Sequence, residues 1–249
     1  MKINSNKFIF IFSTTMVIVV AVLLATASIG LGPYQARNVK LEKMQNILGS
    51  IGVVSEAKGA EELYKKYISG QLVLNNKGEV VDSGNAAFDI DLKKELDKAR
   101  TGETDKQLFP LFVGNKEGKT LYIIPVRGKG LWGPIWGYIA LDEDMNSVYG
   151  VSFGHKGETP GLGAEIGTGP FQEQFVRKKL LDDSGNFVSI DVVKGAKSGD
   201  PHEVDAISGA TVTSNGVTEM IRRTLKNYMP YFKSLQEGRE IQVKISDTK

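Results

Sequence analysis

The 249-residue chain contains no cysteine and only two histidines. Without thiols it cannot use thiol catalysis, cysteine-bound iron–sulfur clusters, zinc ribbons or disulfides. His155 and His202 stand far apart in sequence, which excludes a multi-histidine metal cage. A strong charge of one sign is also lacking, with Lys+Arg 31 against Asp+Glu 29. The first 31 residues hold Lys2 and Lys7 and no acid, so the rest balances at 29 to 29. No basic field exists to bind nucleic acid. Lack of cysteine fits a cell-envelope compartment without demanding one. No internal repeat, low-complexity tract or Pro/Ser-rich linker appears.

One long apolar run is present. From Phe8 to Leu31 no residue is charged. As a helix this run spans roughly 36 Å, enough to cross a hydrocarbon core of about 30 Å. Ala25-Thr26-Ala27 has the small-x-small form of a signal-peptide cleavage site. The apolar stretch is longer than a signal core of about 7–15 residues, so an uncleaved anchor over 8–31 is expected after a short tail, 1–7. Lys2 and Lys7 precede the span, while Arg37, Lys40 and Lys43 follow it. The positive-inside rule therefore leaves its direction open.

Beyond the span the pattern predicts amphipathic helices over 37–48 and 59–69, with Gly49 and Gly52 breaking the first. Strands are expected at 71–74 and 79–81 around Asn75-Asn76-Lys77-Gly78, then at 121–126, 135–141, 148–153 and 187–193. Helices are expected at 92–100, 170–181 and 211–228, with Pro230 closing the last and a short tail helix following. The order is not a strict βαβ alternation. It predicts an α+β fold: an N-terminal transmembrane helix, then a mainly antiparallel sheet with packed helices. The expected organisation is membrane-proximal helices and a hairpin over 32–110, a ligand-binding domain over 111–235 and a C-terminal tail over 236–249.

Three segments carry chemistry. Gly128-Lys129-Gly130-Leu131-Trp132-Gly133 matches G-x-G-x-x-G, but turn and strand residues follow it where a dinucleotide fingerprint needs a helix. It reads as a tight hairpin whose glycines permit positive φ, with Trp132 available to a planar ligand. His155-Lys156-Gly157-Glu158-Thr159-Pro160-Gly161-Leu162-Gly163 is a rigid loop whose free N–H groups can face a ligand's polar edge. No nucleophile pattern stands beside His155, so it reads as a hydrogen-bonded structural residue. Asp205-Ala206-Ile207-Ser208-Gly209-Ala210-Thr211-Val212-Thr213-Ser214 lies where a helix begins. Ser208 or Asp205 can cap that helix. The same end can also bind a phosphate, because unpaired N–H groups and a partial positive charge meet there. A hydroxyl at such an end can become a phosphoester. On these grounds Thr211, Thr213 and Ser214 are equal candidates.

The Asp205–Thr211 string resembles the D-x-x-[ST]-G-A-T flavinylation motif of the FMN-binding domain family. The blocks at 128–142 and 154–166 resemble that family's other two. With the single N-terminal span, the likeness extends nearly over the whole chain, to the C-type subunits of Na⁺-translocating NADH:quinone reductases. The related G-type subunits of Rnf complexes share the S-G-A-T block and are the alternative. An anchored flavoprotein of another redox chain is a further one. The resemblance implies covalent FMN on Thr211, with Ser208, Gly209, Ala210, Val212 and Thr213 around the linkage. It implies ring contacts from Leu131 and Trp132 and from Glu158, Thr159, Gly161, Leu162 and Gly163. Lys194 would place a positive charge near the flavin, which favours its reduced anionic forms. Asp205 would cap the turn or assist a separate flavin transferase. The implied role is electron transfer from NADH oxidation towards ubiquinone or menaquinone, coupled to Na⁺ export. The carrier would work with the other subunits of the complex and have no activity alone. The implied location is the inner membrane, single-pass, with the large domain periplasmic.

Overall fold

The computed structural model describes residues 6–238. The expected tails, 1–7 and 236–249, lie largely outside them. In chain order the elements are α1 (Asn6–Ser50), α2 (Ala60–Tyr67), β1 (Ile68–Asn75), β2 (Val80–Asp82), α3 (Ala86–Asp89), α4 (Leu92–Lys98), β3 (Leu108–Lys116), β4 (Lys119–Lys129), β5 (Pro134–Leu141), β6 (Val148–His155), α5 (Gly169–Glu173), β7 (Asp191–Val193), β8 (Glu203–Asp205), α6 (Thr211–Leu225) and α7 (Met229–Gln236). Short 3₁₀ turns extend α4 and α6 and cover Gly163–Gly167. The chain divides into two units, residues 1–43 and 44–249.

The first unit is helical and long and apolar enough to cross a membrane, with no part of its apolar window buried. The expected break between the span and a second helix at 37–48 is absent. One helix, with Pro33 inside it, runs to Ser50. Gly49 stays helical because it packs closely, where a side chain would press on Ser152. Gly52 (φ +68°) ends the helix, and the Val53 N–H returns to the Leu48 carbonyl.

The second unit is built on a six-stranded sheet in the order β2-β1-β3-β4-β5-β6, every pairing antiparallel. This is the architecture expected from the pattern. A small parallel pair, β7-β8, lies apart. β3 was not expected, because Pro110 interrupts its strand pattern. The fold tolerates that proline because β3 pairs with β4 only from Phe112 onward, so that at Pro110 the strand is paired on the β1 side alone. The sequence boundary at 110 therefore falls inside a strand, and the 68–82 hairpin belongs to the same sheet.

Two further expectations contract. The helix over 170–181 is only Gly169–Glu173, and the strand over 187–193 is only Asp191–Val193. Arg177 and Ser189 take positive φ, +67° and +71°, and end regular structure on either side of an irregular crossing. The helical stretch over 211–228 does give way to a short tail helix as expected, and Pro230 stands in the first turn of that helix, α7, where a missing N–H costs nothing.

α6 crosses the sheet with Val217, Met220, Ile221, Thr224 and Leu225 inward, the spacing of one helical face. Its approach is set by glycines. A Cβ on Gly128 would meet Met220 at 2.7 Å, and one on Gly216 would overlap the Lys129 carbonyl. Burial of side chains such as Ile221 and Leu225 stabilises this contact by about 1.5–3 kcal/mol each. Beyond α6, the buried Tyr228 hydroxyl donates to the Pro110 carbonyl at 2.8 Å, and burial raises its pKa well above the ordinary tyrosine range.

Candidate functional site

The three sequence segments converge at one end of α6. The β4–β5 hairpin closes through Gly130 N–H to the Gly133 carbonyl at 2.8 Å. None of its glycines has a positive φ, contrary to the expectation. Gly128 and Gly130 are needed for close approach instead. The hairpin leaves Leu131 and Trp132 53% and 69% exposed, unusual for such large apolar side chains.

Glu158 joins the segments. Its side chain is buried under the hairpin. Oε1 accepts from the Trp132 N–H at 2.8 Å, and Oε2 accepts from the Thr213 hydroxyl at 2.6 Å. The Leu131 N–H points at Thr213 Oγ1 from 3.4 Å, too long for a strong bond. Two glycines make room for this carboxylate. A Cβ on Gly130 would sit 2.7 Å from Oε1, and one on Gly163 would overlap Oε2 and lie 2.8 Å from Thr213 Oγ1. Burial alone would raise the Glu158 pKa. The Thr213 hydroxyl and the N–H groups of Trp132, Leu131 and Gly133 outweigh it and hold the carboxyl below its ordinary range. His155 is structural, with Nδ1 accepting from the Glu158 N–H at 3.2 Å.

The loop continues through Gly161 (φ +73°), whose N–H donates to Glu165 at 3.0 Å. The Thr159 carbonyl accepts from the Leu162 and Ala164 N–H groups at 3.1 Å. Leu162 is exposed and reaches the turn before α6, where a Cβ on Gly209 would come within 2.9 Å of its Cδ2. Gly209 (φ +76°) makes that turn.

α6 starts without a cap. Its N-cap residue is Ala210, which makes no side-chain cap bond. Neither Ser208 nor Asp205 caps it as the sequence allowed. Asp205 instead accepts from the Ala196 N–H at 2.9 Å, holding the turn that carries exposed Lys194. The first-turn N–H groups of a helix lack intrahelical partners, so this end remains open to an anion.

The three candidate hydroxyls now differ. Thr213 is buried and donates to Glu158. Ser214 is buried and its hydroxyl oxygen accepts from the Ile207 N–H at 3.2 Å. Thr211 is exposed at the first helical position, beside exposed Val212. Sequence reasoning missed Gly130 as a seat for the carboxylate and Gly216 as the point of helix–hairpin contact. Their only signal was glycine where turn geometry did not require it. Among the described residues no cluster of His, Cys, Asp and Glu is arranged to hold a metal.

Residues 130–226 match the FMN-binding domain family, an interval running from the hairpin to the end of α6. The C subunit of the Na(+)-translocating NADH-quinone reductase of Vibrio vulnificus is 36% identical over 212 residues, covering 80% of this chain and 83% of its own. Its counterpart in Neisseria meningitidis is 33% identical and covers 91% and 95%. The crystal structure of the same subunit from Parabacteroides distasonis superposes with a TM-score of 0.73 at 42% identity, covering 82% of this chain and 98% of that one. That of NqrC from Shewanella oneidensis gives 0.66 at 29% identity, covering 80% and 99%.

Proposed function

Because the chain belongs to the family of C subunits of Na(+)-translocating NADH-quinone reductases and carries an FMN-binding domain, we propose that it is a membrane-anchored electron carrier with FMN esterified to Thr211. One observation carries the attachment site. Of three hydroxyls in the first turn of α6, only that of Thr211 is exposed, while those of Thr213 and Ser214 are buried and engaged.

The residues present fit the group. A phosphodiester on Thr211 keeps about one negative charge beside the uncapped N–H groups and positive end of α6. Leu131, Trp132, Leu162 and Val212 offer exposed apolar surface to a flat ring and exclude water from its face. Glu158 and Thr213 hold the hairpin, loop and helix in register beneath it. Bound FMN supplies the redox chemistry, accepting and donating electrons. Lys194 contributes positive charge on the turn fixed by Asp205, and that charge favours the reduced flavin.

In this reading the apolar part of α1 anchors the chain in the inner membrane and the domain of residues 44–249 lies in the periplasm. A flavin transferase forms the ester, and the other subunits supply electrons from NADH and pass them towards quinone with Na⁺ export. The test is in-gel fluorescence of the denatured chain after co-expression with a flavin transferase. A fluorescent band that Thr211→Ala abolishes is expected. A dark wild-type band, or a fluorescent Thr211→Ala band, contradicts the proposal.

A further inference from the structure

A cleft of 860 Å³ opens between α4, the β4–β5 hairpin and α6. Its floor is apolar, with Leu96 and Met220 buried and Pro134 beside them. Its rim carries Lys93, Arg100, Arg127, Lys129 and Arg223. Only Asp97 and Glu219 oppose these five cations, an excess of three. Beyond residue 31 the chain balances at 29 bases to 29 acids, so the excess is a local segregation of charge.

Part of this charge is already spoken for. Asp97 accepts from Lys93 at 2.6 Å and lies 4.0 Å from Arg100. Arg223 donates to the Arg127 carbonyl at 3.2 Å. Among the described residues no carboxylate lies within ion-pair distance of Arg127 or Lys129.

Position gives the cleft its meaning. Gly128, Lys129, Gly133 and Pro134 line it and flank Leu131 and Trp132 on both sides. Asn215 and Gly216 line it one helical turn beyond Thr211. An occupant of the cleft therefore lies next to the exposed apolar tip of the hairpin. A small phosphate is a poor match, because it needs converging donors and these cations come from separate elements. A cationic rim over an apolar floor, beside an exposed Trp, suits a protein surface.

We propose that this cleft docks an acidic segment of the partner subunit that exchanges electrons with the flavin. This rests on the carrier reading given above. Complementary charge would steer and orient a contact that must form next to Trp132 and release again.

The test uses the whole complex with Arg100→Glu and Lys129→Glu combined, both outside the residues assigned to the flavin. Three quantities are measured: FMN on this chain by in-gel fluorescence, its reduction rate after mixing with NADH, and the salt dependence of that rate. The expected result is unchanged FMN content, a rate lowered about tenfold at low salt and a flattened salt dependence, as loss of electrostatic steering requires. Arg100→Lys with Lys129→Arg should restore the rate. Carbodiimide should cross-link wild-type Lys129 to an Asp or Glu of another subunit. Full FMN with an unchanged rate and salt dependence in the charge-reversed complex would overturn the docking proposal alone. So would inhibition by inorganic phosphate beyond that of chloride at equal ionic strength with no cross-link, which would make the cleft a small-anion site. No FMN on the wild-type chain would instead remove the carrier reading itself.

Discussion

Glu158 and Thr211 divide the labour of the site between a buried anchor and an exposed hydroxyl, and their variants should fail differently. Thr211→Ala removes an exposed hydroxyl at the first helical position and gains a few tenths of a kcal/mol in helix propensity. The melting temperature of flavin-free protein should barely move, while covalent flavin is lost. Thr213→Val leaves Glu158 Oε2 buried without its partner, and denaturant unfolding should show a loss of about 1–3 kcal/mol. Equal destabilisation by both would contradict the division. Glu158→Gln extends the argument to pH. The folded-state pKa of Glu158 lies below its ordinary value, so its ionised form stabilises the fold. That contribution is complete above the unfolded pKa of about 4.3 and disappears as pH falls through the folded value. The wild type should therefore melt above Glu158→Gln near neutrality, and the gap should close on acidification below about pH 4. A gap that widens in acid would refute the sign. From sequence alone the three first-turn hydroxyls were indistinguishable, because the burial that separates them comes from the hairpin and loop packing over the helix start.

At the scale of elements, α6 against β4 is the contact on which the site depends. Gly216→Ala illustrates the competition. Alanine improves helix propensity by about 1 kcal/mol, but its Cβ would overlap the Lys129 carbonyl, where backbone cannot yield easily. Overpacking of this kind costs typically about 1–3 kcal/mol, so a net loss of stability and a displaced hairpin are expected. Thermal melting of the full chain checks the first and flavin retention the second; a stabilised Gly216→Ala would show that the contact is looser than the geometry implies. The antiparallel sheet and α6 were legible because alternation and helical spacing are local signals. The elements that escaped depended on distant context. Pro110 hid β3, which is a strand because β1 pairs along one side of it. The segment 170–193 looked regular, yet Arg177 and Ser189 adopt positive φ to follow a path set by tertiary packing. The glycines of the hairpin were read as turn formers, whereas their function is to admit Glu158 and Met220, which no local pattern reveals.

For the molecule as a whole, an uncharged run over residues 8–31 precedes a stretch whose charges balance at 29 to 29. The apolar segment was evident in the sequence, but its continuation to Ser50 was not, since Pro33 and Gly49 ordinarily mark helix ends. If the anchor is retained, N-terminal sequencing of the membrane-extracted chain should begin at or within a few residues of Met1. A start at Ser28 would show cleavage after Ala27 and remove the anchor. Charge gives no direction across the membrane, so orientation needs its own test: the domain should resist protease in inside-out vesicles, and digestion there would reverse the topology. The central claim, that this carrier holds FMN on Thr211, is tested most directly by mass spectrometry of the tryptic peptide spanning residues 198–222, which contains Thr211, Thr213, Ser214 and Thr218. The predicted spectrum adds one FMN phosphoester to this peptide, with fragment ions placing it on Thr211. The same mass on Thr213 or Ser214, or an unmodified peptide from a chain matured with its transferase, would contradict the account.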